Sequence, residues 1–241
     1  MAVEFDAVGP NSSGTGGTGV NISVTPINWN HTCSGTNGLL VVCVTYGGGD
    51  YPTSSDFSVT YNGIPMLQGA FQYNANDGTD CAMLFYLIAP ASGTNQVSLF
   101  SNSGFLYGDF QCGSVSYTGV DQITGIRNAV SNASSGGSSP ATLTVSSAVG
   151  NMVAFGLGSG AYSGTSNQTD RWQFNQNGDT GGSNGLQSDA PGAASVSFSD
   201  SINGGAGDYW GIVGFDIIAA SSLSIYPEDM TPGSEVTFRI I

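Results

Sequence analysis

The sequence predicts an all-β protein, an antiparallel β-sandwich of jelly-roll type with long Gly/Ser/Asn-rich loops. Three observations carry this. Val, Ile, Thr, Tyr and Phe fall in short runs between Gly/Ser/Asn/Asp clusters, the pattern of strands and turns. Glu, Lys, Ala and Leu dominate no window, so long helices have nothing to form from. A hydrophobic content of 39% with 10% aromatics supplies a core that a disordered chain would lack.

Ala2 to Val8 alternates as a first strand, with Val3, Phe5 and Ala7 on one face and Glu4 and Asp6 on the other. Residues 11–19 read as a glycine-rich loop. Further strands are expected near 20–27, 38–46, 57–61, 66–73, 81–89, 95–100, 112–118, 141–147, 150–158, 170–175, 194–199 and 208–219. So many strands exceed one open sheet but suit a two-sheet sandwich. Leu39 to Val44 is a fully apolar strand. Asn62-Gly63 suits the positive φ of a tight hairpin, and Pro90 ends the strand before it because it cannot donate to the ladder.

Residues 128–140 are the most linker-like stretch. Their flanks are similar in composition, so they read as a long crossover within one sandwich of residues 2–219. Residues 175–193 read as a second long loop. Residues 220–241 form a C-terminal extension. Its last strand holds Val236, Phe238, Ile240 and Ile241, which should not stand in water. That strand either closes a sheet of its own chain or adds to a neighbour, which makes it a candidate assembly strand.

Charge narrows the functions. Arg127, Arg171 and Arg239 are the basic residues, there is no lysine, and 17 acidic residues leave a net charge of −14. Such a surface cannot neutralise a run of phosphates, and it gains nothing from an anionic membrane. Lysine-dependent chemistry is excluded. The apolar runs are too short to span a bilayer, so no membrane insertion is expected. The opening residues lack a signal-peptide pattern, which implies synthesis in a cytoplasm. Cys33, Cys43, Cys81 and Cys112 include no C-x-x-C pair and are expected as buried thiols, with Cys81 and Cys112 the pair placed to face each other.

Motifs with catalytic overtones resolve into simpler readings. Gly14-Thr15-Gly16-Gly17-Thr18-Gly19 matches a dinucleotide fingerprint by letter, but strand rather than helix follows it. His31 is the only histidine, no nucleophile elbow accompanies it, and a structural role is expected. Asn74 to Asp80 resembles a calcium loop superficially and reads as a hairpin turn with exposed aspartates, although calcium elsewhere stays open. Among loop aromatics, Tyr51, Tyr162 and Trp172 are the candidate glycan contacts, against the alternative that such rings pack a core. No cofactor and no catalytic residue is assigned.

Six strings occur in order: Ala2-Val3-Glu4-Phe5-Asp6-Ala7, Trp29-Asn30-His31-Thr32-Cys33-Ser34-Gly35, Leu39-Leu40-Val41-Val42, Val59-Thr60-Tyr61-Asn62-Gly63, Leu84-Phe85-Tyr86-Leu87-Ile88-Ala89-Pro90 and Ser114-Val115-Ser116-Tyr117-Thr118-Gly119-Val120-Asp121. The series resembles a family of β-sandwich domains that recur in virion proteins of tailed phages of actinobacteria, over roughly residues 2–219. The resemblance implies a non-enzymatic structural protein, a minor tail protein or a capsid decoration protein. It would self-associate, as trimers or another symmetric group, and contact other virion proteins. A carbohydrate-binding adhesion module for host-surface glycans is the alternative, and a glycoside hydrolase the third.

Overall fold

The computed structural model describes residues 1–9, 20–21, 26–48, 51–74, 80–101, 108–134, 139–160, 162–174, 184–203 and 209–221, and among them there is no helix. The strands fall into two halves. The first holds β1 (Glu4–Gly9), β2 (Val20–Asn21), β3 (Ile27–Cys33), β4 (Leu39–Gly48), β5 (Phe57–Tyr61), β6 (Ile64–Pro65), β7 (Leu67–Tyr73), β8 (Asp80–Ile88), β9 (Gly93–Ser101) and β10 (Gly108–Thr118). The second holds β11 (Ile126–Ala133), β12 (Ala141–Ser146), β13 (Met152–Ser159), β14 (Tyr162–Ser166), β15 (Thr169–Phe174), β16 (Asn184–Pro191), β17 (Ser195–Asn203) and β18 (Trp210–Ile217).

All pairings are antiparallel and form four sheets, not the two expected. The first half makes a large sheet in the order β1-β10-β4-β8-β7, with β2 beside β10, and a small sheet β3-β9-β5-β6. The second half makes a large sheet β11-β18-β13-β16-β15 and a small sheet β12-β17-β14. The expected crossover at 128–140 is therefore strand as far as Ala133, and the expected loop at 175–193 contains β16. The halves are joined through residues 119–125, where Asp121 Oδ1 accepts from the backbone N–H of Ile123 and Thr124 at 3.1 and 2.7 Å.

The sheets stack in four layers. Leu40, Val42, Val44, Met83 and Phe85 of the first large sheet pack on Trp29, Phe57, Val59, Val97 and Leu99 of its small sheet. Val153, Phe155, Leu157 and Ile212 pack likewise on Leu143, Val145, Val196 and Phe198 in the second half. The two large sheets then meet face to face through Leu39, Val41, Cys43, Leu84, Val115 and Tyr117 on one side and Met152, Ala154, Trp172, Val213, Phe215 and Ile217 on the other. Strand patterns follow from this position. β3 and β12 are outer-layer strands and alternate buried with exposed. β13 and β18 are inner-layer strands and are buried at every position.

The second half repeats the first. Replacing β1, β3, β4, β5, β7, β8, β9 and β10 by β11, β12, β13, β14, β15, β16, β17 and β18 converts one pair of sheet orders into the other, apart from the two short strands β2 and β6. The registers agree as well: Tyr117 lies opposite Leu39 and Phe5, and Ile217 lies opposite Met152 and Ile126. β7 and β15 are both bulged at the equivalent step, between Gln68 and Ala70 and between Asp170 and Trp172. Across the middle layer β7 packs on β11 and β18, and β15 packs on β10, as an approximate two-fold axis requires.

Symmetry breaks where the middle layer is tightest. The Trp172 indole lies on the backbone of Gly113, where a Cβ would sit 2.3 Å from the ring nitrogen. The equivalent positions hold Ala70 and Val213, so the large and small residues are exchanged between the two contacts. Gly113→Val should destabilise the protein by roughly 3 kcal/mol through overpacking, and Trp172→Ala by about 3–5 kcal/mol through the cavity left behind. Urea denaturation of both and of the double variant checks this. The double variant should cost less than the sum, because valine refills the vacated space; additive costs would show that the residues do not share it.

Candidate functional site

The structure separates the candidate glycan contacts. Trp172 is 2% exposed, and its Nε1 donates to Gln187 Oε1 at 2.8 Å, so the ring belongs to the middle core and offers no face to a sugar. Trp29 and Trp210 are buried too. Tyr51 is 61% exposed. Tyr162 opens β14, and its side chain lies outside the described residues. Val236, Phe238, Ile240 and Ile241 also lie outside them.

The Asn74–Asp80 turn differs from expectation at both ends. Asp80 is buried rather than exposed, and Asn74 Nδ2 donates to the carbonyls of Ser134 and Trp210. Residues 75–79 lie outside the described set, and among the described residues no group of three or more His, Cys, Asp or Glu could hold a metal ion. All four cysteines are free and buried. Burial pushes the thiols of Cys43, Cys81 and Cys112 up, which keeps them protonated.

One polar cleft, of about 160 Å³, opens at the end of the first half. Asp6, Ser34, Asn37, Ser92, Ser116 and Gln122 contribute to its lining. β1 carries Asp6, β10 carries Ser116, and the turn after β3 carries Ser34. The Asp6 carboxylate accepts from the backbone N–H of Ser34 at 2.9 Å, from Ser116 Oγ at 2.7 Å and from Ser34 Oγ. Burial works to raise the Asp6 carboxyl, but these hydrogen bonds, with a smaller contribution from His31, bring it below its usual range. Asp6 is therefore a held anion at neutral pH. Sequence reasoning placed it on the polar face of β1 but missed the cleft, because its partners stand 28 and 110 residues away.

Behind the cleft lies a buried set of residues with the types of a catalytic triad but only its serine–histidine hydrogen bond. His31 Nδ1 is 2.9 Å from Ser114 Oγ, which also receives Trp29 Nε1 at 2.9 Å and lies 3.3 Å from the Gly9 carbonyl. Ser114 is fully buried, and Asp6 binds serines rather than the imidazole. A Cβ on Gly9 would approach His31 Nδ1 to 2.8 Å, so glycine is what lets the strand pass the ring. The grouping ties β1, β3 and β10 together, the structural role expected of His31.

A second set, built on buried Asp189 and Tyr117, spans the two halves. Arg171 grips Asp189 through Nε and Nη2 at 2.7 and 2.9 Å, and Tyr117 Oη donates to the same carboxylate at 3.0 Å. The guanidinium also lies over the Phe5 ring, 3.9 Å from its centroid. Charge, ring and hydroxyl thus bind β1 and β10 to β15 and β16.

Burial lowers His31 from 6.5 to about 4. A base depressed in the folded state stays neutral there, so the unfolded chain takes up the extra proton. Stability from His31 should be intact above pH 6.5, fall as pH drops toward 4, and lose roughly 3 kcal/mol across that window. Urea denaturation at stepped pH measures this. His31→Gln should remove that part of the pH dependence, and a slope unchanged by the substitution would assign it elsewhere. The chain matches no protein-family model, no curated protein and no solved structure.

Proposed function

We propose that this chain is a non-enzymatic structural protein of a tailed-phage virion, a minor tail or capsid decoration protein displayed in repeated copies on the particle surface. On this reading each half winds as a jelly roll, with strands one, eight, three, six and five in its large sheet and two, seven and four in its small sheet. The observation that carries the proposal is the character of the two outer faces. Exposed polar side chains on the small sheets include Asn28, Asn30, Thr32, Thr94 and Gln96 on one side of the molecule, where Ile64 and Pro65 of β6 are exposed as well. On the other the polar side chains include Thr142, Thr144, Ser146, Ser195, Ser197 and Ser201.

These side chains are hydroxyls and amides without charge. They pair across strands, as in Thr32 with Thr94 at 2.7 Å and Thr144 with Ser197 at 2.9 Å. Such faces stay hydrated without long-range repulsion between neighbouring copies, which suits dense display. The family resemblance points the same way. Tyr51, with its ring exposed, favours host-surface carbohydrate as a second reading.

Immunogold labelling of intact particles from the phage that encodes the chain tests the first reading. Label at regular positions on the particle is expected, and label confined to lysate debris overturns it. A glycan array probes the second: binding lost in Tyr51→Ala supports it, and no binding above background removes it.

A further inference from the structure

The internal repeat allows one half to be read against the other, position by position. Phe5 and Ile126 are equivalent, since each lies opposite the residue that pairs with the first position of the third strand of its half. One residue further along stand Asp6 and Arg127, each at the start of a bulge in its edge strand. The facing strand offers Ser116 in the first half and Asp216 in the second. The turn after the second strand offers Ser34 and Ser147.

In the second half this place is neutralised. Arg127 Nε donates to Asp216 Oδ2 at 2.8 Å, Asn151 Nδ2 donates to the same oxygen at 2.8 Å, and Ser147 Oγ donates to Oδ1 at 2.5 Å. In the first half the carboxylate has moved to the edge strand as Asp6. It keeps the serine donors, but the ion pairs among the described residues are Arg127–Asp216 and Arg171–Asp189. A carboxylate accepts about four hydrogen bonds, and among the described residues Asp6 receives three. Where the second half has Asn151 beside its carboxylate, the first has Gly38, in the lining of an open cleft.

We propose that the Asp6 cleft receives one guanidinium group, in the role that Arg127 plays in the second half. The sequence supplies a source in Arg239, the basic residue not engaged in those two pairs. The described chain ends beside the cleft: Ala220 N–H donates to the Gly119 carbonyl, and Gly119 N–H donates to the carbonyl of Thr36, next to the lining residues Gly35 and Asn37. The 18 residues that follow Ser221, up to Arg239, span up to about 60 Å when extended, enough for this cleft or that of an adjacent copy. The proposal does not depend on the virion reading.

Titration of the full chain with N-acetyl-arginine methylamide, followed through the backbone amide resonances of Ser34, Gly35 and Asn37, tests it. In Arg239→Gln the probe should bind saturably, the lysine analogue more weakly, and Asp6→Asn added to that background should weaken binding at least tenfold. Wild type binding the probe more weakly than Arg239→Gln supports Arg239 as the natural occupant. Equal binding supports an arginine from another protein. No saturable shift in Arg239→Gln, or affinity unchanged by Asp6→Asn, overturns the site. Asp6→Ser repeats the measurement if resonances remote from the cleft show that Asp6→Asn disturbs the fold.

Discussion

The middle layer governs this molecule. Each large sheet has one face on its own small sheet and the other on the large sheet of the other half, so water reaches neither face of its central strands. Antiparallel sheets commonly leave one face wet. Here the inner strands give up alternation, and Leu39 to Val44 are fully buried at every position. Neither half could leave the other without exposing Leu39, Val41, Val115, Phe215 and Ile217 together, a patch that a soluble surface does not tolerate.

A dry inner layer also dictates how polar groups and charges are spent. Asp189 and Asp216 sit on inner strands and are almost fully buried, and each is held by an arginine. A lone carboxylate there would be costly, which is why two of the three basic residues serve the interior. β16 is the extreme case. Its sequence is polar, yet Asn184 through Ala190 are buried, with Gln187 bonded to Trp172 and Asp189 to Arg171 and Tyr117. Each half is thus a variant of the other, with Trp172 over Gly113 answering Ala70 and Val213, and Arg127 answering Asp6.

Much of the fold was legible because outer strands obey simple rules. Alternation marks β12, apolar β-branched runs mark β4, and Asn62-Gly63 marks a hairpin through its positive φ, whereas the strand expected near 20–27 was placed too early for β3 at Ile27–Cys33. What stayed hidden has physical causes. β16 resembles a loop because its residues are polar, although Gln187 and Asp189 are bonded to Trp172, Arg171 and Tyr117 in the interior, and β11 because its exposed edge is rich in Asn and Ser. The repeat is masked by substitutions such as Ser116 against Asp216, which preserve register but not chemistry. The unbroken apolar runs at 39–44 and 81–88 were local signs of a sheet covered on both faces. The site was scarcely legible: Trp172 carries a sugar-stacking side chain but sits in the core, while Asp6 lay unremarked on a polar strand face.

If the middle layer binds the halves into one cooperative unit, calorimetry of the full chain reports it most directly. A single transition is expected, with calorimetric and van't Hoff enthalpies that agree, moved as a whole to lower temperature by Trp172→Ala. Two resolved transitions, with Trp172→Ala moving only one, would contradict it and show that each half stands without the other.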